Sequence, residues 1–191
     1  MPRIISGHAK GRQLRAPRGN ATRPTGARVR QSLFDMLGER VSQARVLDLC
    51  AGTGAVGIEA LSRGATTVVL VERSARVLAT VRVNLRALGA LAGRAEVCPG
   101  DCLAVVKRLA LAGRRFDIVF FDPPYESGLY QPVMEEVDRG GVLAGPESLL
   151  VVEHFHKRLL PETMGRLARS RSTRIGDHCL SIYGLTLDAR A

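Results

Sequence analysis

The chain has 191 residues, 46% of them hydrophobic, enough to bury one full core with at most a small appendage. No stretch approaches the roughly 18 consecutive apolar residues of a membrane span, and Met1-Pro2-Arg3-Ile4-Ile5-Ser6-Gly7 contains no secretory apolar run; a cytoplasmic protein without membrane contact is expected. Lysine and arginine total 28 against 18 acidic residues, a net charge of +10, which points to a polyanionic partner.

That excess is concentrated at the start. Arg3, Lys10, Arg12, Arg15, Arg18, Arg23, Arg28, Arg30, Arg40 and Arg45 face only Asp35 and Glu39 in the first 45 residues, ten cations against two acids. Nearly all are arginine, whose planar fork suits phosphate and can stack on bases; a solvated basic face without a partner is the alternative. Ile4, Ile5, Leu14 and Ala16 lie among glycines and basic residues, so residues 1–22 read as a small basic hairpin or arm. Arg3, Lys10, Arg12, Arg15 and Arg18 are its candidate nucleic-acid contacts, and residues 23–191 form the main domain.

From Gly26 to Arg40, Val29, Leu33, Met36 and Leu37 recur at helical spacing with Thr25 as N-cap, and Arg28 and Gln31 lie on the opposite face. Strands are expected at 46–50, 66–71, 95–98, 116–121 and 149–154, separated by helices near 58–63, 74–89, 102–111 and 129–137. Two further strands at 167–174 and 179–187 turn through Gly176-Asp177. This alternation implies a mostly parallel, seven-stranded α/β sheet closed by an antiparallel C-terminal hairpin, with ligands at the carboxyl ends of the strands. Cys50, Cys98, Cys102 and Cys179 form no Cys-x-x-Cys pair, and His154 and His156 lack a third ligand at a supporting spacing. Reduced thiols and no metal site are expected.

Gly52-x-Gly54-x-x-Gly57, with Glu72 about twenty residues on, matches the dinucleotide fingerprint, so an NAD-dependent oxidoreductase has to be weighed. Asp48 decides against it: a carboxylate just before the glycines would repel a pyrophosphate and favour S-adenosylmethionine (SAM), which carries an ammonium and a sulfonium. Glu72 then suits the ribose and Asp101 the adenine amino group, although Asp101 could equally be a helix cap.

The fourth strand runs into Phe121-Asp122-Pro123-Pro124-Tyr125. Two prolines forbid its continuation. A nucleobase amino group could donate to the Asp122 carboxylate and the Pro123 carbonyl while the base lies on Tyr125, a stacking contact of about 1–3 kcal/mol. Alone, the tetrapeptide could be a mere loop breaker. With Asp48, Glu72 and Asp101 along one sheet edge, methyl transfer is the better reading.

Arg3-Ile4-Ile5-Ser6-Gly7 with Gly11-Arg12, Arg23-Pro24-Thr25 with Arg28-Val29-Arg30 and Leu33-Phe34, Asp48 to Gly57 with Glu59 to Ala65, and Asp122-Pro123-Pro124-Tyr125 together resemble the RsmD-type guanine-N2 methyltransferases of bacterial small-subunit ribosomal RNA. The likeness covers nearly the whole chain. It implies a Rossmann-like class I SAM-dependent methyltransferase, with Asp48, Gly52 and Gly54 on the methionine and ribose portion, Glu72 on the ribose and Asp101 on the adenine. It also implies that Thr25, Arg28 and Phe34 cover the cofactor, that Asp122, Pro123 and Tyr125 carry the chemistry, and that the basic hairpin engages 16S RNA in a 30S particle. A monomer is expected. Gly26-Ala27, Gln31 and Cys50 depart from the family pattern. Rival readings are a DNA or other RNA adenine-N6 methyltransferase, and a non-catalytic RNA-binding protein.

Overall fold

The structure, a computed structural model, describes residues 2–16 and 26–186. The chain divides into two compact units, Met1–Asp101 and Cys102–Ala191.

The first unit opens with a hairpin. The Ile4 N–H donates to the Arg12 carbonyl (3.0 Å) and the Gly11 N–H to Ile4 (2.9 Å), with an antiparallel bridge between Arg3 and Gln13. Ile4, Ala9 and Leu14 are buried, so the hairpin contributes side chains to the unit's core. Gly7 makes the close approach possible: it has φ +81, and a Cβ there would lie 1.8 Å from the Ser62 carbonyl oxygen. Helix α1 (Ala27–Leu37) follows. Its N-cap is Gly26, which offers no side chain as a cap, and the expected cap Thr25 lies outside the described residues.

Strand β1 (Arg45–Leu49), helix α2 (Ala55–Ser62), strand β2 (Thr67–Glu72), helix α3 (Ala75–Arg86) and strand β3 (Ala95–Pro99) complete the unit. The strands pair in parallel in the order β3-β2-β1. After its first residue β1 is continuously buried, as is β2 from Val68 to Val71, as parallel strands covered on both faces are. Ser74 caps α3, its hydroxyl accepting from the Val77 N–H at 3.4 Å. Val77, Leu78, Val81 and Leu85 of α3 are buried while Arg76, Arg82 and Arg86 are exposed, the two stripes expected from their spacing.

The second unit contains helix α4 (Cys102–Leu111), strand β4 (Ile118–Phe121), helix α5 (Tyr130–Arg139), and strands β5 (Leu149–Phe155), β6 (Thr163–Met164), β7 (Leu167–Ile175) and β8 (His178–Leu185). Its order is β4-β5-β8-β7-β6. Strands β4 and β5 run parallel, and β8, β7 and β6 add on antiparallel. The units together carry eight strands where the sequence predicts seven; the extra one, β6, is two residues long and offers no alternation to read. The β7–β8 turn falls on Gly176 (φ +64) and Asp177, as glycine in a two-residue hairpin turn allows. Among the described residues no helix is long and apolar enough to cross a membrane, and no three His, Cys, Asp or Glu residues are placed to hold a metal ion.

Candidate active site

In the first unit the turn after β1 is built around two carboxylates. Asp48, 1% exposed, accepts from the Gly57 N–H through Oδ2 at 2.9 Å. Glu72, at the end of β2, accepts from the Gly52 N–H at 3.0 Å and from the Ser74 N–H at 2.8 Å. Each acid therefore fixes backbone as well as offering charge. Gly52 (φ +54) and Gly54 (φ +77) have left-handed backbone that only glycine adopts without cost, and a Cβ at Gly52 would meet nothing within 4 Å. That open face is where a ligand can approach the chain. Gly57 serves packing instead. A Cβ there would lie 2.6 Å from Leu70 and 2.8 Å from Val68, so its bare backbone lets α2 sit against β2. Cys50 enters the turn at φ +63, a strained conformation for a residue with a side chain.

The sequence reading missed Asn84. It is 2% exposed; its amide donates to the Thr53 and Arg15 carbonyls, both at 3.0 Å, and accepts from the Arg15 N–H at 2.7 Å. One side chain thus ties the glycine turn to the basic hairpin. The only signal in the sequence is a polar residue next to the apolar stripe of α3. Asp101 is exposed at the end of the first unit, directly before α4. Asp48, Glu72 and Asp101 follow three neighbouring parallel strands at or near their carboxyl ends. This donor-poor, acidic set fits a cationic ligand rich in hydroxyl and amino donors and is a poor fit to a pyrophosphate.

The basic residues separate into two groups. Arg3, Lys10, Arg12 and Arg15 are exposed although the backbone that bears them is docked; the Arg12 guanidinium donates to the Ala87 carbonyl. Arg18 lies outside the described residues. Arg30, counted with the polyanion-facing arginines from sequence, is fully buried. Its guanidinium donates to the Arg3 carbonyl at 2.6 Å and lies 3.7 Å from Glu59. Glu59 also accepts from the Ile5 and Ser6 N–H groups and from Arg63. Burial holds the Arg30 pKa below its ordinary value, with Glu59 opposing that shift. Arg28 is exposed on α1. Phe34 is 2% exposed, and the Arg63 guanidinium lies over its ring, 4.7 Å from the centroid, so its ring belongs to the core.

In the second unit β4 is buried throughout and ends at Phe121. Asp122 and Tyr125 are half-buried, Pro123 is buried and Pro124 exposed. The Tyr125 hydroxyl lies 2.7 Å from His178 Nδ1, and Arg158 donates to the Tyr125 carbonyl at 2.7 Å. The Arg158 guanidinium also lies 4.5 Å over the ring of Tyr130, which packs edge-on against Phe121. Burial first, and the Asp122 charge second, push the Tyr130 phenol well above its ordinary pKa.

A solved structure described as putative methyltransferase yhhF from Escherichia coli superposes on this chain with a TM-score of 0.83 at 32% identity, over 97% of this chain and 98% of the other. Fold and glycine turn together define a Rossmann-like, class I SAM-dependent methyltransferase. The chain belongs to the family described as Conserved hypothetical protein 95, whose model matches residues 2–184. Putative rRNA methyltransferase YlbH of Bacillus subtilis strain 168 is 37% identical over 181 residues, 95% of this chain and 97% of that protein. Ribosomal RNA small subunit methyltransferase D of Escherichia coli strain K12 is 35% identical over 181 residues, 95% of this chain and 88% of that protein. The resemblance seen in the motifs is therefore borne out along the chain.

Proposed function

We propose that this protein transfers a methyl group from SAM to the exocyclic N2 of a guanine in small-subunit ribosomal RNA, acting in the cytoplasm as a monomer on an assembled or assembling 30S particle. The observation that carries the reading is the end of β4, where a carboxylate, a proline carbonyl and an aromatic ring follow a buried strand in four residues. The relatives' names support ribosomal RNA as the substrate class.

Asp48, Gly52, Gly54, Glu72 and Asp101 would hold the cofactor, with Thr25, Arg28 and Phe34 in the segment that covers it. When bound, the cofactor supplies a methyl group activated by its attachment to a sulfonium. A guanine amino nitrogen is a poor nucleophile because its lone pair is delocalised into the ring. Asp122 and the Pro123 carbonyl accept its two hydrogens and turn the lone pair out of the ring plane. The nitrogen would gain a carbon–nitrogen bond as the sulfur–methyl bond breaks to leave a neutral thioether, and it would lose one proton by way of Asp122 to water. Positioning of this kind supplies effective molarities of about 10⁵ M or more, and no covalent intermediate on a cysteine is needed. The base has to be unstacked to reach Tyr125. Arg3, Lys10, Arg12, Arg15 and Arg18 would hold the surrounding RNA by its phosphates.

The test is methyl transfer from labelled SAM to small subunits from a strain lacking the homologous enzyme, followed by nucleoside mass analysis. Label in N2-methylguanosine is the expected result. Label on adenine, in RNA or DNA, would overturn the base assignment, and its absence from every nucleic acid offered would overturn the reaction. Because the hairpin supplies Ile4, Ala9 and Leu14 to the core, charge substitutions on its exposed face probe RNA contact, whereas deletion would also unfold its support.

A further inference from the structure

We propose that His178, oriented by Glu153, is a positioning residue that locks the ring of Tyr125 against the acceptor base; this rests on the reading of the Asp122–Tyr125 turn as the acceptor site. Strands β5 and β8 are antiparallel, with Phe155 opposite His178 and Glu153 opposite Leu180. Residues two apart on a strand share a face, as do directly opposed residues. Glu153, Phe155 and His178 therefore project from one face of the ladder; Phe155 and His178 engage Tyr125 of the turn, and Glu153 engages His178. The Tyr125 ring lies 5.9 Å from that of Phe155 and 5.8 Å, edge-on, from that of His178. His178 Nδ1 is 2.7 Å from the Tyr125 hydroxyl and also 2.7 Å from Glu153 Oε1.

Hydrogen-bond chemistry orders this cluster. Glu153, only 1% exposed, is as a carboxylate an acceptor only, so it draws the imidazole hydrogen to Nδ1. That N–H has one in-plane direction and is shared between the carboxylate and the phenol oxygen. The Tyr125 oxygen thus accepts, and its own hydrogen is left to point away from β8. The phenol is pinned at its far end, and Arg158 pins the backbone at the near end. Behind it, the Tyr130 hydroxyl donates to the Glu153 carbonyl at 3.4 Å. A ring fixed at both ends after two prolines presents one face in one place, the condition under which a stacked base keeps its amino group at Asp122. Tyr125 would touch the substrate; His178 and Glu153 act through it.

The test is a double-mutant cycle on the full chain with Tyr125→Phe and His178→Ala, read by single-turnover methyl transfer. Each single change should lower the maximal rate roughly three- to tenfold, the worth of one hydrogen bond, without changing affinity for S-adenosylhomocysteine. The double variant should be no slower than the worse single one. Glu153→Gln and His178→Gln, which keep the volume, cover the case in which His178→Ala folds poorly. Nuclear resonance of chain labelled with 13C at tyrosine Cζ should show the Tyr125 signal, identified by its loss in Tyr125→Phe, shifted in His178→Gln and Glu153→Gln. Wild-type rates in Tyr125→Phe, losses that multiply in the double variant, or an unshifted signal would overturn the proposal. A wild-type protein inactive on every nucleic acid would instead overturn the acceptor reading, and the resonance shift would still decide whether the clamp exists.

Discussion

The two turns proposed to carry the chemistry are held in opposite ways. The glycine turn after β1 is braced mainly by acids at the ends of its own and the next strand, with Asp48 on Gly57 and Glu72 on Gly52. The turn after β4 is braced from far along the chain: His178 reaches Tyr125 across 53 residues and Arg158 across 33. On the proposed reading the first turn binds a ligand of fixed shape, for which a brace within one βαβ unit suffices. The second, on the same reading, presents a carboxylate and a ring to a base that arrives from a much larger molecule, and it is fixed at both ends by side chains of the antiparallel strands and the segment between them. The first turn is thus braced by acids of its own and the next strand, and the second by residues brought from elsewhere.

The largest effect that would sharpen this contrast is expected at Asp122, the carboxylate proposed to meet the acceptor amino group. Asp122→Ala should lower the rate of transfer by about 10²-fold or more and leave affinity for S-adenosylhomocysteine at the wild-type level, measured by single-turnover kinetics and calorimetry. Comparable turnover would remove Asp122 from the chemistry. At Asp48, binding and bracing can be separated. Asp48→Asn keeps an acceptor for the Gly57 N–H and removes the charge, so SAM affinity should fall by about tenfold, in line with a charged hydrogen bond, with little change in the urea midpoint. A collapse of stability with unchanged affinity would make Asp48 a brace alone.

Gly57 belongs to the turn by sequence but to the core by position. Gly57→Ala should cost about 1–3 kcal/mol of folding stability through overpacking against Leu70 and Val68, with SAM affinity of the folded protein retained; a selective loss of affinity would return Gly57 to the ligand site. The smallest effect concerns His154, beside Glu153 on β5. Its imidazole bonds the Phe155 carbonyl and the Ser181 hydroxyl, and burial lowers its pKa. The unfolded chain therefore takes up the proton first as pH falls below about 6.5. Stability is full above that value and is lost as pH falls through the lower folded pKa. Urea midpoints of wild type and His154→Gln, followed from neutral to acid pH, should show a smaller acid dependence in the variant; identical slopes would show that His154 does not contribute.

Much of this was legible without coordinates because it is written in local patterns. The 3.6-residue spacing of Val77, Leu78, Val81 and Leu85, the continuous apolar runs of β1, β2 and β4, and the two prolines after Asp122 each act within a few residues, by periodicity or by removing a backbone donor. They determined the order of strands and helices and put Asp48, Glu72, Asp101 and Asp122 at or after the ends of successive strands. The tertiary structure decided what depends on partners distant in sequence. Arg3 and Arg30 are chemically alike, yet one is exposed and the other is buried beside a glutamate that also holds Ile5 across 54 residues. Phe34 went to the core, Asn84 became a link between hairpin and glycine turn, and Tyr125 acquired His178 as a partner, itself held by Glu153. No spacing encodes these choices, because a long-range contact depends on which faces the packed elements present to one another, and that is settled only when the apolar stripes have found their common cores.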